Sequence, residues 1–291
     1  PGQLVQMSAV SIEKAKAVLS DFVLVDQQTN IDSFILGKEN YTKFVNEFWT
    51  AKQRQANSIH EISYRACYKP QLPRFFIDLF TRKGDTVYDP FAGRGTTPIE
   101  AALMGRNIVS NDVNPLSVIL TKSRLNIPTI DNIEKRLDEI KFESVGADID
   151  LSMFFHKKTE HELISFKNQL IDTEVDNWIR MVSTNRLTGH SAGFFSGYTL
   201  PPNQAASQKS QIAINERLGV VPSYKDTKEI ILKKSKSLLR DITSKLRYDL
   251  KAVSSNSIFS SLDSRETTHI VDNSINLTVT SPPFLNIVKY A

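Results

Sequence analysis

One cysteine, Cys67, and five histidines are all that a chain of 291 residues offers to a disulfide or a soft metal. A single thiol excludes an internal disulfide and any multi-cysteine metal site. Among the histidines only His156 and His161 lie close together, and their spacing does not stack on one helical face. No apolar run approaches the roughly 18 residues of a membrane span, and no signal-peptide core opens the chain. Low-complexity tracts and internal repeats are missing too. These absences point to a cytoplasmic protein with no metal and no membrane partner.

What is present is a globular composition, 40% hydrophobic and 23% charged. The length suffices for a full core, as one large domain with an insertion or as two domains. A formal charge of +4 and a pI near 9.0 permit a nucleic-acid partner without requiring one.

Residues 8–58 read as mostly helical. A sharper block follows: an apolar helical stretch from Phe75 to Phe80, a turn at Lys83-Gly84-Asp85 and a short strand at Thr86-Val87-Tyr88. After the loop Asp89–Thr96, Thr97 is a candidate N-cap, Pro98 suits the first helical position and Glu100 completes a capping-box spacing. Gly105 stops that helix, and Ile108-Val109-Ser110 is a second strand ending in Asn111-Asp112. Strand, glycine loop, helix and strand form the opening unit of a doubly wound α/β sheet. Between about 126 and 250 this alternation is absent. Ile231, Leu238, Leu239, Ile242, Leu246 and Leu250 predict one amphipathic helix there, with Lys233, Lys234, Lys236, Arg240 and Lys245 mainly off its apolar face. The glycine- and aromatic-rich text from 185 to 206 predicts a loop, long for a passive connection. Ser257-Ile258-Phe259 and a buried run from Ile275 to Thr280 return as strands.

The loop after Asp89 is the first chemical signal. Gly93-x-Gly95 at a strand's carboxyl end lets backbone approach a ligand, although short glycine loops also serve simply to turn a chain. The phosphate-binding GxxxxGK[ST] spacing and the third glycine of the dinucleotide fingerprint are both absent. Asp112, 23 residues after Asp89, suits a ribose diol; taken alone it equally suits a cap on the turn before Asn114-Pro115. The second signal is Ser281-Pro282-Pro283-Phe284. Proline cannot continue a central strand, so the strand ends there, and an isolated SPPF would do no more than that.

Together these stretches resemble a known family. "DPFAGRGTT" resembles the first motif, and "TSPPF" the catalytic motif, of S-adenosylmethionine-dependent DNA amino-methyltransferases, which methylate N4 of cytosine or N6 of adenine. The resemblance extends over about residues 58–125 and 257–291. It implies a doubly wound, Rossmann-like methyltransferase sheet with a largely helical insertion. It divides the chain into an N-terminal segment (1–57), a cofactor-binding half (58–125), an insertion that is a possible target-recognition region (126–250) and a catalytic half (251–291). "SYRACYKPQLP" resembles the segment beside the methionine half of the cofactor, with Lys69 and Pro70 at its centre. Asp89, Pro90, Phe91, Ala92, Gly93, Gly95 and Thr96 would form the cofactor loop. Asp112 and Val113, in "NDVNPLS", would meet the ribose, and Asp263 would accept the adenine amine. "NWIRMVSTNRLTGHSAGFFSGYTLPPNQA" resembles one bacterial subgroup, with no residue role attached.

By the same resemblance the Ser281 hydroxyl and Pro282 carbonyl accept both N–H bonds of the target amine and localise its lone pair. Pro283 stiffens the motif, and Phe284 faces the extruded base. Transfer from a sulfonium needs no metal. Ser at position 281, where adenine enzymes usually carry Asp, favours cytosine N4. The alternatives are adenine N6, RNA, or an inactive cofactor- and DNA-binding fragment of a split enzyme. The implied partners are duplex DNA with a flipped base, a cognate restriction endonuclease and, because the text stops seven residues after Phe284, a complementing polypeptide.

Overall fold

The computed structural model describes residues 12–24, 26–48, 56–64, 67–189, 191–197, 199 and 206–283. The order begins with helix α1 (Ile12–Ser20), the short hairpin β1 (Val23–Leu24) and β2 (Gln27–Gln28), then the hairpin β3 (Asn30–Leu36) and β4 (Glu39–Val45). A 3₁₀ turn at Ser58–His60 precedes α2 (Gln71–Phe80), β5 (Thr86–Asp89), α3 (Thr96–Leu103), β6 (Asn107–Asn111) and α4 (Leu116–Ser123). Six helices follow: α5 (Ile130–Glu139), α6 (Lys157–Gln169), α7 (Glu174–Arg186), α8 (Gln208–Leu218), α9 (Thr227–Leu239) and α10 (Ser244–Ser255). The strands β7 (Ile258–Ser260) and β8 (Leu277–Thr278) come last.

The main sheet is parallel, with strand order β7-β6-β5-β8. Successive strands are laid outward on one side of β5, and then β8 is placed on the other. The order therefore reverses between β5 and β8, and the loops leaving those two strands diverge to open a crevice, where doubly wound sheets bind ligands. The fold is a Rossmann-like α/β sheet. Its apolar core is shared: Val87, Ile99 and Ile108 belong to one cluster with Trp178 and Ile179 of α7, Ile231 and Leu238 of α9 and Leu250 of α10. The Trp178 indole donates to Ser235 Oγ at 2.9 Å, satisfying its one polar atom inside that core. Among the described residues no helix is long and apolar enough to cross a membrane.

Five local expectations are corrected. Only α1 is helical in the described part of 8–58; β3 and β4 pair from Asn30↔Val45 to Leu36↔Glu39 around Gly37, whose positive φ of 66° suits a two-residue hairpin turn. α3 starts at Thr96 with Gly95 as its N-cap, so Thr97 does not cap it and Pro98 is its third residue. Glu100 does not close a capping box but is buried against His60 Nε2 at 2.8 Å and Arg74 Nη1 at 3.2 Å. The single helix expected from 231 to 250 is two helices, because Thr243 Oγ1 caps the Leu246 N–H and Asp241 accepts the Ser58 N–H at 2.8 Å. Finally, the run from Ile275 to Thr280 is no buried strand. Only Leu277–Thr278 is strand, partly exposed at the sheet edge, with Asn276 and Val279 each adding one backbone bond to β5.

Candidate active site

Asp89 ends β5 and is 1% exposed. Its Oδ1 accepts the Phe91 N–H at 3.1 Å and the Thr280 hydroxyl at 2.7 Å, while Tyr68 OH donates to Oδ2 at 3.4 Å. Burial is the larger influence, and it pushes the carboxyl up to about 6 against those bonds. The same burial, with the charge of Asp89, raises the Tyr68 hydroxyl, which also meets Thr97 Oγ1. The Thr280 bond stitches the loop after β8 to the end of β5, two stretches 191 residues apart.

The glycine loop is built for close approach. Gly93 and Gly95 take φ of 52° and 81°, and a Cβ on Gly95 would collide with the Thr121 side chain. The Ala92 N–H donates to the Asn111 carbonyl at 2.9 Å, and the Gly93 N–H to Asp112 Oδ2 at 2.8 Å. Asp112 Oδ1 accepts the Asn114 N–H at 2.9 Å, which is the turn cap that the sequence also allowed. It caps its own turn, it orders the glycine loop, and a carboxylate accepting one bond per oxygen keeps lone pairs for a further donor.

Two arginines brace the loop from behind. Arg94 Nη1 donates to the carbonyls of His60 and Ile62 at 3.4 and 3.2 Å, and its Nε to Thr96 Oγ1 at 3.2 Å. Arg124 is fully buried, with Nε on the Leu120 carbonyl at 2.9 Å, Nη1 on that of Ile59 at 3.0 Å and Nη2 on that of Arg94. Burial, and then the charge of Arg94, depresses its guanidinium to about 9. The sequence alone assigns neither residue this bracing role.

A cleft of about 290 Å³ lies at the β5/β8 switch. Of the residues expected at a site it is lined by Pro90, Phe91, Ala92, Gly93, Thr96, Asp112, Val113, Asp263, Ser281 and Pro283. Asp89 and Gly95 stand behind that wall rather than in it, and exposed Pro282 lies between two lining residues. Lys69 and Pro70 do not line the cleft, because their carbonyls accept the Leu72 and Arg74 N–H groups and start α2. Tyr64, Cys67 and Tyr68 of the same segment take their place in the wall. Phe284 lies outside the described residues.

Asp263 reaches the cleft through a buried asparagine that sequence reading missed. Asn111 Oδ1 accepts the Leu262 N–H at 3.0 Å and the Ser260 hydroxyl at 2.8 Å, and its Nδ2 donates to the Leu262 carbonyl at 2.9 Å. The signal was its place beside Asp112 at the end of β6. Arg265, bonded to both Asp263 oxygens, holds that carboxyl down at about 2, so it is an ionised acceptor at any ordinary pH.

One cleft thus carries close-approach backbone, two carboxylate acceptors, aromatic walls and a serine ahead of paired prolines. Comparison with known proteins agrees with it. Residues 13–151 match the N6/N4 family model described as DNA methylase. The Type II methyltransferase M.BsoBI of Geobacillus stearothermophilus is 25% identical over 287 residues, which cover 87% of this chain and 56% of that protein. M.BglI of Bacillus subtilis, also a Type II methyltransferase, is 31% identical over 99 residues, 34% of this chain and 27% of its own. M.MjaII of Methanocaldococcus jannaschii, another Type II methyltransferase, is 28% identical over 88 residues, 30% of this chain and 17% of its own. The chain therefore spans about half the length of M.BsoBI and less of the other two. Both motifs are brought to one switch-point cleft, and these comparisons support a likeness to the N4/N6 family of DNA amino-methyltransferases.

Proposed function

We propose that the protein is a DNA methyltransferase that moves a methyl group from S-adenosylmethionine to the N4 amine of cytosine in duplex DNA, within a restriction-modification pair. The observation that supports it most is the Thr280–Asp89 bond, which sets Ser281 in the same cleft as Asp112 and the glycine loop. The cleft suits the cofactor: Gly93 presents no side chain to it, Asp112 has acceptor capacity for ribose hydroxyls, and Asp263 is an ionised acceptor for an adenine amine. Bound there, S-adenosylmethionine supplies an electrophilic methyl group on a sulfonium.

The chain's own work is to prepare the amine. Its lone pair is delocalised into the base ring, so it is a weak nucleophile. The Ser281 hydroxyl and the Pro282 carbonyl each accept one of its N–H bonds, which draws nitrogen toward tetrahedral geometry and frees the lone pair for attack. Paired prolines hold that carbonyl in a fixed direction with no competing N–H. Duplex DNA is the partner, with the target base turned out of the stack to reach the cleft. The outer edge of β8, unpaired among the described residues, is where a complementing polypeptide would add strands.

Nucleoside mass spectrometry of DNA from cells expressing the protein tests the reading. N4-methylcytosine is expected, and Ser281→Ala should lower its formation while leaving cofactor affinity nearly intact, because those contacts strengthen in the transition state. N6-methyladenine instead would overturn the cytosine assignment alone. Loss of cofactor affinity in the Ser281 variant would place that residue in binding rather than chemistry.

A further inference from the structure

The basic residues of α9 and α10 are not one uniform face. Lys236 pairs with Glu134 at 2.9 Å, Arg240 with Glu61 at 2.7 Å and Lys245 with Asp249 at 2.6 Å. Lys234, half-buried, has no carboxylate within ion-pair distance among the described residues. It shares a face of α9 with Ser237 and Leu238, at the spacing that aligns helical side chains, and Asp241 follows just past the end of the helix. That face holds the segment 58–63, which opens with the 3₁₀ turn: the Ser237 hydroxyl donates to Glu61 at 3.2 Å, the Ser58 hydroxyl to the Leu238 carbonyl at 2.9 Å, and the Ser58 N–H to Asp241. The segment runs antiparallel to α9, so residues beyond Glu61 lie toward Lys234.

The end of α7 meets the same place from the other side. Asn185 exchanges two bonds with the Ser63 backbone, at 3.1 and 2.8 Å, and Arg186 Nη2 donates to Ser63 Oγ at 2.9 Å. Arg186 is 8% exposed, with its guanidinium 4.0 Å from the centre of the Phe194 ring. It has no carboxylate partner among the described residues, and its Nε has no acceptor. In the loop beyond it, the buried Thr188 and Thr199 hydroxyls are also without partners among the described residues. Buried cations are ordinarily paired and buried donors ordinarily bonded; here both are left open within one short stretch. Burial, and then the charge of Arg186, holds the Lys234 ammonium down at about 8 against the opposing charge of Glu61.

We propose that Arg186 and Lys234 form a phosphate site that grips a backbone phosphate of the DNA strand beside the target base. Ser63, which Arg186 holds, is followed directly by Tyr64 of the cleft wall, so the site adjoins the place where the base must enter. The loop singled out in the sequence for its glycines and aromatics thereby gains a role. Phe194 covers the guanidinium, and the Thr188 and Thr199 hydroxyls are available as further donors. The proposal rests on the reading of the protein as a DNA methyltransferase.

The test is the salt dependence of binding to a fluorescent duplex of random sequence, between 50 and 200 mM salt. Each phosphate neutralised contributes about 0.9 to the slope of log affinity against log salt. Lys234→Gln should lower that slope by about 1 and weaken binding alike across sequences, whereas Lys233→Gln, an exposed neighbour, should leave it unchanged. Arg186→Gln should act in the same direction, but it is buried and can fail to fold, so Lys234→Gln carries the decision; its S-adenosylmethionine affinity by calorimetry reports the fold. An unchanged slope in Lys234→Gln, or an equal fall in Lys233→Gln, would overturn the site while leaving the functional reading intact. If inorganic phosphate protected the wild type but not Lys234→Gln against heat while the slope was unchanged, the site would bind free phosphate, and the DNA assignment would fail. Absence of any DNA binding by the wild type would overturn both readings together.

Discussion

Changing Asp89 to asparagine isolates the titration of a buried carboxyl that stands behind the cleft wall. The carboxyl is 1% exposed, and its pKa is lifted from 3.8 to about 6, chiefly by burial. Its folded value lies above its unfolded one, so between them the native protein holds a proton that the unfolded chain releases. The stabilising contribution of this group is therefore fully present below about pH 4 and is lost as pH rises through about 6. At about 1.36 kcal/mol per pH unit, the difference amounts to roughly 3 kcal/mol. Asp89→Asn removes the titration while keeping the size and one acceptor oxygen for Thr280. The assay is urea denaturation of both proteins from pH 4 to pH 7.5. Groups such as Asp263 titrate in both and cancel in the difference. Wild-type stability minus that of Asp89→Asn should fall by about 2.4 kcal/mol over that range, since the unfolded carboxyl is already partly ionised at pH 4. A difference flat to within about 1 kcal/mol, or one rising with pH, would show that the bonds from Thr280 and Phe91 outweigh burial and would refute the reasoning.

Two further outcomes are expected. Asp112→Ala should weaken S-adenosylmethionine binding by about 1.5–3 kcal/mol, the scale of lost charged hydrogen bonds, and calorimetry showing unchanged affinity in a folded variant would remove Asp112 from the site. Arg124→Met should cost about 3 kcal/mol of stability by denaturant titration, since it strands the carbonyls of Ile59, Arg94 and Leu120; a loss under about 1 kcal/mol would mean that water replaces the guanidinium.

What could be read in advance was local chemistry. Gly93, Gly95 and Gly105 mark positions where only a left-handed backbone will serve, so the strand-loop-helix unit around them was legible from its own residues. The serine and two prolines were legible for the same reason, since proline limits its neighbourhood whatever surrounds it. The break between α9 and α10 was not, because it is made partly by Ser58, which donates its N–H to Asp241 from far away in the chain. Glu100 stood at a spacing that permits a capping box, but a buried histidine and Arg74 claim it instead. Arg124 looks like any helix-end cation until the carbonyls around it are known. Lys69 and Pro70 drew attention by motif, while Tyr64 and Tyr68, which do face the cleft, carry no local signature.

The position of β5 also bears on how the protein is made. Its two neighbours in the sheet are β6, a short distance on, and β8, whose Asn276 N–H closes on the Thr86 carbonyl across 190 residues. Contacts of such separation form late, because the long intervening chain must be ordered before they can be kept. On a ribosome, the glycine loop can fold against β6 well before residue 278 exists, yet Asp89 acquires its Thr280 bond only after the helices from α5 to α10 have been made. During that interval one edge of β5 is bare. A nascent chain of this protein therefore carries a bare edge on a central strand from the making of β6 until residue 278 exists, and the helical stretch that separates the two motifs sets how long that exposure lasts.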